Sequence, residues 1–402
     1  MINHSKSNIK YSALLSLWGH LSRRRQKQFW ILLLLMIFAS MVEIISIGAV
    51  LPFLGVLTAP EQVYQHHLMQ TFNHLFSIDT PEQLLLPITI VFIGATLFAA
   101  TIRLMLLYIM TRLSFAVGAE LSINIYNRTL HQDYAVHVSR NSSEIITGVT
   151  SKVSTVSGIL QATITFINAL FLILFISIAL TILDPMIAII SAVSFGSMYS
   201  IVTFVVRKRL HENSSNIATE STRAIKSLQE GLNNIRDIIL DGSQKFYRSI
   251  YNASDLKLKT AQANNLFISG SPKYLVESFG MVIISGIAFS LSNSEDGILE
   301  SLPLLGALVL GAQRLLPAIQ QGFSMWAHIA GQKASVTDVL ELLDQSNLSD
   351  VKNHNAELII FNKSIELRGV SFGYASSAHD VLIDININIK KGLKVQEGTY
   401  ND

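Results

Sequence analysis

Cysteine is missing from all 402 residues, which excludes thiol catalysis, disulfide staples and cysteine-held metal sites. Charge is scarce as well. Asp, Glu, Lys and Arg make up 14% of the chain and nearly cancel at a net +2, so there is no basic field of the kind that nucleic acid demands. No catalytic triad, metal cluster or pair of carboxylates outside the apolar stretches points to a soluble enzyme. What is abundant is apolar side chain, at 50% of residues, and this places the chain among polytopic membrane proteins.

The first residues, "MINHSKSNIKYSALLSLWGHLSRRRQK", lack the order of a signal peptide, because the basic run follows the short apolar stretch. Ala13 to Leu21 reads as an amphipathic helix in the membrane interface, with Leu14, Leu17, Trp18 and Leu21 on its apolar side.

Six stretches are long and apolar enough to cross a hydrocarbon core: Phe29 to Leu57, Leu84 to Met110, Ile159 to Leu183, Met186 to Val206, Leu266 to Leu291, and Ile298 to about Ile329. Lys and Arg number six before the first, four between the second and third, and ten between the fourth and fifth. The segment from Thr58 to Gln83, the Asp184-Pro185 turn and the "SNSEDG" turn hold none. The positive-inside rule then puts both termini in the cytoplasm.

The two connections on the basic side are long and helical in pattern, with Leu228, Leu232, Ile235 and Ile239 at i, i+4, i+7 and i+11 in the second. Spans two to five are therefore expected to continue as helices beyond the membrane, forming two hairpins. After Leu343 comes the polar linker "DQSNLSDVKNHNAE", then two strands, "LIIFNKSIELRGVSFGY" and "VLIDININI". In the second, Ile385, Ile387 and Ile389 alternate with Asn386, Asn388 and Lys390.

Six spans, two long hairpins, a linker and then "IELRGVSFGY" and "VLIDININIKKG" together resemble a half-transporter of the ATP-binding cassette exporters. "VEIISIGAVLPFLGVL", "SLQEGLNNIRDIILDGSQKFYRSIYN" and "SPKYLVESFG" resemble the branch that flips lipid-linked oligosaccharides. The fold this implies is an all-α polytopic membrane domain followed by a short β stub of an incomplete α/β cassette. Its parts are an N-terminal segment (1–28), a six-helix domain (29–343), a linker (344–362) and the start of a nucleotide-binding domain (363–402). The resemblance further implies a homodimer in the inner (plasma) membrane of a bacterium, surrounded by membrane lipid. Coupling helices would sit near Asp133 to Arg140 and Asn233 to Gln244, and Tyr374 would stack on adenine.

Complete members bind ATP and magnesium through G-x-x-x-x-G-K-[ST]. Here no glycine is followed by lysine, and "QEGTYND" is polar where a buried strand is expected. The expectation is a chain that does not hydrolyse ATP by itself. Its cargo would be a lipid-linked oligosaccharide or similar amphiphile; the alternatives are another lipid, a peptide or a drug, or an inactive truncated subunit.

Charges inside the spans need a reason, since an arginine at the centre of one costs roughly 2.5 to 3.5 kcal/mol on insertion scales. Arg314 lies well inside span six; Gln313 with Gln320, and Arg314 with Gln321, mark a polar stripe. Arg103 and Lys273 lie nearer the cytoplasmic ends, where snorkelling also accounts for them. In the flippase branch such cations hold the pyrophosphate of the lipid carrier, which assigns that role to Arg103, Lys273 and Arg314. Glu43 and Glu277 are the candidate counterions for Arg314. Outside the membrane, Tyr64, Leu68, Phe72 and Leu75 or Phe76 suggest a short external helix. Its His66, His67 and His74 lack the partners a metal site needs.

Overall fold

The computed structural model describes residues 13–58, 60–65, 80–139, 141–183, 185–292, 315–345, 361–373 and 380–392. These are mostly helical. Helix α1 (Ala13–Gly19) leads into α2 (Arg23–Gly48), α3 (Val50–Thr58) and α4 (Pro60–Gln65). A tight turn at Pro81–Leu84 opens α5 (Leu85–Leu130), followed by the short α6 (Tyr134–Ser139) and α7 (Ser142–Thr147). A single π turn (Gly148–Lys152) joins α7 to α8 (Val153–Leu183). Then come α9 (Pro185–Asn233), α10 (Ile235–Asp241), α11 (Gln244–Ser292), α12 (315–330) and α13 (Lys333–Leu343).

Helices α2 and α5 are apolar on both their packed and their open sides. In α2, Leu32, Met36 and Ala39 are buried, whereas Ile31, Leu34, Phe38 and Ile45 are exposed. In α5, Leu106, Met110, Leu113 and Val117 face the core, while Leu97, Phe98, Leu104 and Leu107 lie open. Water would penalise such a surface and hydrocarbon does not, so this pattern is the mark of helices solvated by lipid. Among the described residues three stretches are long and apolar enough to cross a bilayer: Arg23–Ser46, Pro81–Leu130 and Ser142–Ile182. They coincide with the first three expected crossings. Those expected at Met186 to Val206 and Leu266 to Leu291 fall on α9 and α11, and the last begins outside the described residues.

The first expected crossing is not one continuous rod. It breaks at Ala49, between α2 and α3. Pro52 has no N–H for the carbonyl of Gly48 and its ring crowds that carbonyl, so α2 cannot run through. Pro272, by contrast, is carried inside α11.

Two large clusters form most of the interior among the described residues. One gathers Leu17, Leu32, Met36, Leu106, Val117, Val156, Ile159, Val339 and Leu343 from α1, α2, α5, α8 and α13. The other joins Ile176, Phe195, Leu210, Ile268, Val276, Leu315 and Phe323 from α8, α9, α11 and α12. Gly118 of α5 lies so close to α8 that a Cβ there would run into Ser157. Small residues at a crossing let helices approach where lipid supplies no hydrophobic drive.

On the apolar side of α1, Leu17, Trp18 and Leu21 are covered by protein. Leu17 and Leu21 are buried, Trp18 packs on Phe29 at a ring separation of 5.4 Å, and α1 rests on α13. The expected external helix is described only to Gln65. There Tyr64 joins Val56, Leu84 and Ile88, while Leu68, Phe72 and the three histidines lie outside the described residues.

Helix α5 has 46 residues, and α9 and α11 have 49 each. At 1.5 Å per residue they reach roughly 70 Å, against about 30 Å of hydrocarbon. The helices thus continue far beyond any crossing, in two hairpins closed by α6 and α10. Between α9 and α10 the chain breaks at Asn234, so the stripe of Leu228, Leu232, Ile235 and Ile239 is not one rod, and all four side chains are exposed. Gly242 ends α10 at φ 66°, a left-handed conformation that a side chain disfavours. Gly242→Ala should cost about 1 kcal/mol locally, read as faster amide exchange across 235–241 with the long helices unchanged.

Strands β1 (Ser364–Phe372) and β2 (Leu382–Lys390) pair antiparallel, Ile365 opposite Ile389 and Leu367 opposite Ile387. The register slips after Leu367, where Gly369 takes φ 60° and its N–H donates to Asn386 Oδ1 at 2.8 Å.

Candidate substrate path and the polar joints of the bundle

Of the four residues that sequence singles out, two are described. Arg103 reaches across from α5 to Glu43 of α2, Nε to Oε2 at 3.3 Å and Nη1 donating to Oε1 at 3.4 Å. The Glu43 side chain is 9% exposed and that of Arg103 is 51% exposed, so the carboxylate is buried while the guanidinium keeps donors open to the surroundings. Lys273 lies 3.9 Å from Glu277 one turn along α11, and Gln320 of α12 donates to the same Glu277 oxygen at 3.5 Å. Glu43 thus meets Arg103, and Glu277 meets Lys273 and Gln320; the pairing expected with Arg314 falls outside the described residues. The two cations occupy separate helix pairs, one on α2 and α5, the other on α11 and α12. Arg314 and Gln313, like Tyr374, lie outside the described residues; of the polar stripe on α12, Gln320 is half-buried and Gln321 exposed.

The bundle also has polar joints that no motif announces. Asn213 of α9 donates to Asn265 Oδ1 of α11 at 2.8 Å, and Asn265 Nδ2 donates to the Gly331 carbonyl at 2.8 Å. Both asparagines are buried. Beside them the Ser214 hydroxyl accepts from the Ala334 N–H at 2.9 Å. Gly331 and Gln332 form the break between α12 and α13, where backbone groups lose their helical partners. Side chains of α9 and α11 supply those partners. The only sequence signal was two asparagines in otherwise helical, partly apolar segments, too common to carry a prediction.

Further out, α13 is tied down along its length. Lys152 from the π turn bonds Asp338, and Arg128 at the end of α5 donates to the carbonyls of Leu343 and Gln345. His20 of the α1 turn sits 3.0 Å from Asp344. The segment leading to the linker is therefore fastened to both hairpins and to the N-terminal helix.

Comparison with known proteins agrees with this architecture. The chain is 25% identical over 367 residues to the heterocyst differentiation ATP-binding protein HepA of Nostoc sp. strain PCC 7120. The match covers 88% of this chain and 58% of HepA, so the chain spans little more than half of that relative's length. Residues 28–309, most of the helical bundle, match the model of the ABC transporter transmembrane region. Long lipid-solvated helices that extend into two capped hairpins, with a following segment bound to both, are what such a region requires, and the chain belongs to the ABC transporter transmembrane region family.

Proposed function

We propose that this chain is the membrane-spanning part of an ATP-driven exporter that moves a lipid-linked oligosaccharide, working as a homodimer with six crossings per chain. Both termini face the cytoplasm of a bacterial cell, and the exposed tips α6 and α10 receive the motion of the nucleotide-binding domains. The observation that carries the cargo reading is a pair of half-exposed cations, Arg103 and Lys273, kept within stretches otherwise almost free of charge. A buried acid holds Arg103 in place without using all of its donors, and those that remain suit the forked oxygens of a pyrophosphate. Arg314 completes the set.

ATP and magnesium belong to the complete members of the family. No glycine is followed by lysine in this chain, so its own residues offer the phosphates no P-loop cradle and no hydrolytic step is assigned to them. When bound to a complete cassette, ATP supplies the energy; the residues described here orient cargo and transmit force.

The test joins the chain to a complete cassette in proteoliposomes and follows flipping of a fluorescent glycan-lipid. Lys273→Ala with Arg314→Ala should lower flipping at least tenfold while ATP turnover persists, the scale expected when charge-assisted bonds are lost. Unchanged flipping in the double variant would falsify the pyrophosphate role.

A further inference from the structure

A small cavity of about 50 Å3 lies between the π turn, α9, α11 and α13, close to the asparagine joint. Its lining is polar and contains no carboxylate: Ser151, Lys152, Ser221, Gln262, Gln332 and Ser335 surround it, with Thr155, Ile217 and Ala218. Ser151 and Ser221 of the lining hydrogen-bond to each other, 3.5 Å between hydroxyl oxygens. The Gln262 amide and the Ser335 hydroxyl have no protein hydrogen-bond partner among the described residues, although Ser335 is only 2% exposed. Lys152 gives one N–H to Asp338 and has two more to offer.

Donors that converge on an enclosed space without an acid define the kind of molecule that can enter. A metal ion finds no anionic ligand and meets an ammonium. An apolar molecule would strand the hydroxyls and amides. A tetrahedral oxyanion suits the donors left over, Lys152, Gln262 and Ser335, and the volume, room for a small cluster of waters, suits one. We infer that this cavity is a binding site for a small oxyanion of the phosphate class, drawn from free solution, with Lys152 as its charged contact and Gln262 and Ser335 as neutral donors. Because Lys152 also bonds Asp338, the anion shares the ammonium's charge with that carboxylate. Binding loosens the tie between the π turn and α13, so the ion acts on the segment leading to the linker. This inference does not depend on the cargo.

The detergent-purified chain, titrated with sodium phosphate against sodium chloride at equal ionic strength, gives the test by thermal midpoint and calorimetry. Phosphate should bind and raise the midpoint where chloride does not. Asp338→Asn frees the lysine and should tighten phosphate binding about tenfold; Lys152→Met should abolish it. Gln262→Ala, at an exposed position, should weaken it severalfold with the fold intact, which keeps the idea testable if Lys152→Met does not fold. Equal responses to phosphate and chloride, or no gain in Asp338→Asn, would overturn the site. So would stabilisation by phosphatidic acid vesicles with no response to free phosphate, since the ligand would then be a lipid headgroup.

Discussion

Asn265→Ala should be among the most destabilising single substitutions in the half of the bundle that holds α13, costing about 2–4 kcal/mol. It removes two hydrogen bonds at once, and both orphaned groups are buried: the amide of Asn213 and the carbonyl of Gly331. Asn213→Ala removes one bond and leaves Asn265 still tied to Gly331, so its cost should be about half as large. Thermal unfolding in detergent ranks the two. Equal midpoints for both variants, or a midpoint unchanged from the parent, would sink the joint as a structural element. Amide exchange adds a readout that general destabilisation does not give. In Asn265→Ala the amides of 331–335 should exchange faster than those of α5 and α8.

The second large effect is an asymmetry between the two ends of one ion pair. Arg103→Leu takes from the buried Glu43 carboxylate its charged partner on α5, whereas Glu43→Gln leaves a guanidinium half in the open, where it finds other partners. Removing the exposed member should therefore cost more, about 2–4 kcal/mol against roughly 1 kcal/mol, because weakening the compensation of a buried charge is the expensive change. The double variant Arg103→Leu with Glu43→Gln should recover most of the loss. If Glu43→Gln proved the worse of the two, the pair would not be buried on the α2 side. The comparison also separates structure from transport: a glycan-lipid assay on the double variant asks what the guanidinium does beyond holding the helix.

The contrast between Arg103 and the asparagine joint explains what could be read early. Arg103 is conspicuous because an arginine among leucines is rare, so sequence alone marks it. Asn213 and Asn265 stand among serines and glutamines in amphipathic helix, where such residues usually meet water. Their importance arises from the break at Gly331, and that break matters only because α9 and α11 pass beside it. Glu43 or Glu277 was expected opposite Arg314, which lies outside the described residues; that Glu43 meets Arg103 depends on how α2 and α5 are rotated against each other. No spacing in either helix encodes that rotation.

The tips of the hairpins show the same limit. Apolar spacing indicates helix at Leu228 to Ile239, yet the chain turns at Asn234, and Gly242 closes the short helix in a left-handed conformation. The spacing in residues is compatible with either arrangement. The same holds for α1, whose apolar side suits lipid or protein equally well until α13 is placed against it.

The amino-acid order by itself determined the lipid-solvated helices, their extension into two hairpins and the two strands that follow, because periodicity and apolar length are local properties of the chain. Only the tertiary structure decided which acid holds Arg103, what completes the backbone at Gly331, and that a donor-lined cavity opens beside Lys152. Each of these joins residues far apart in the chain, through helix rotations that local sequence leaves free.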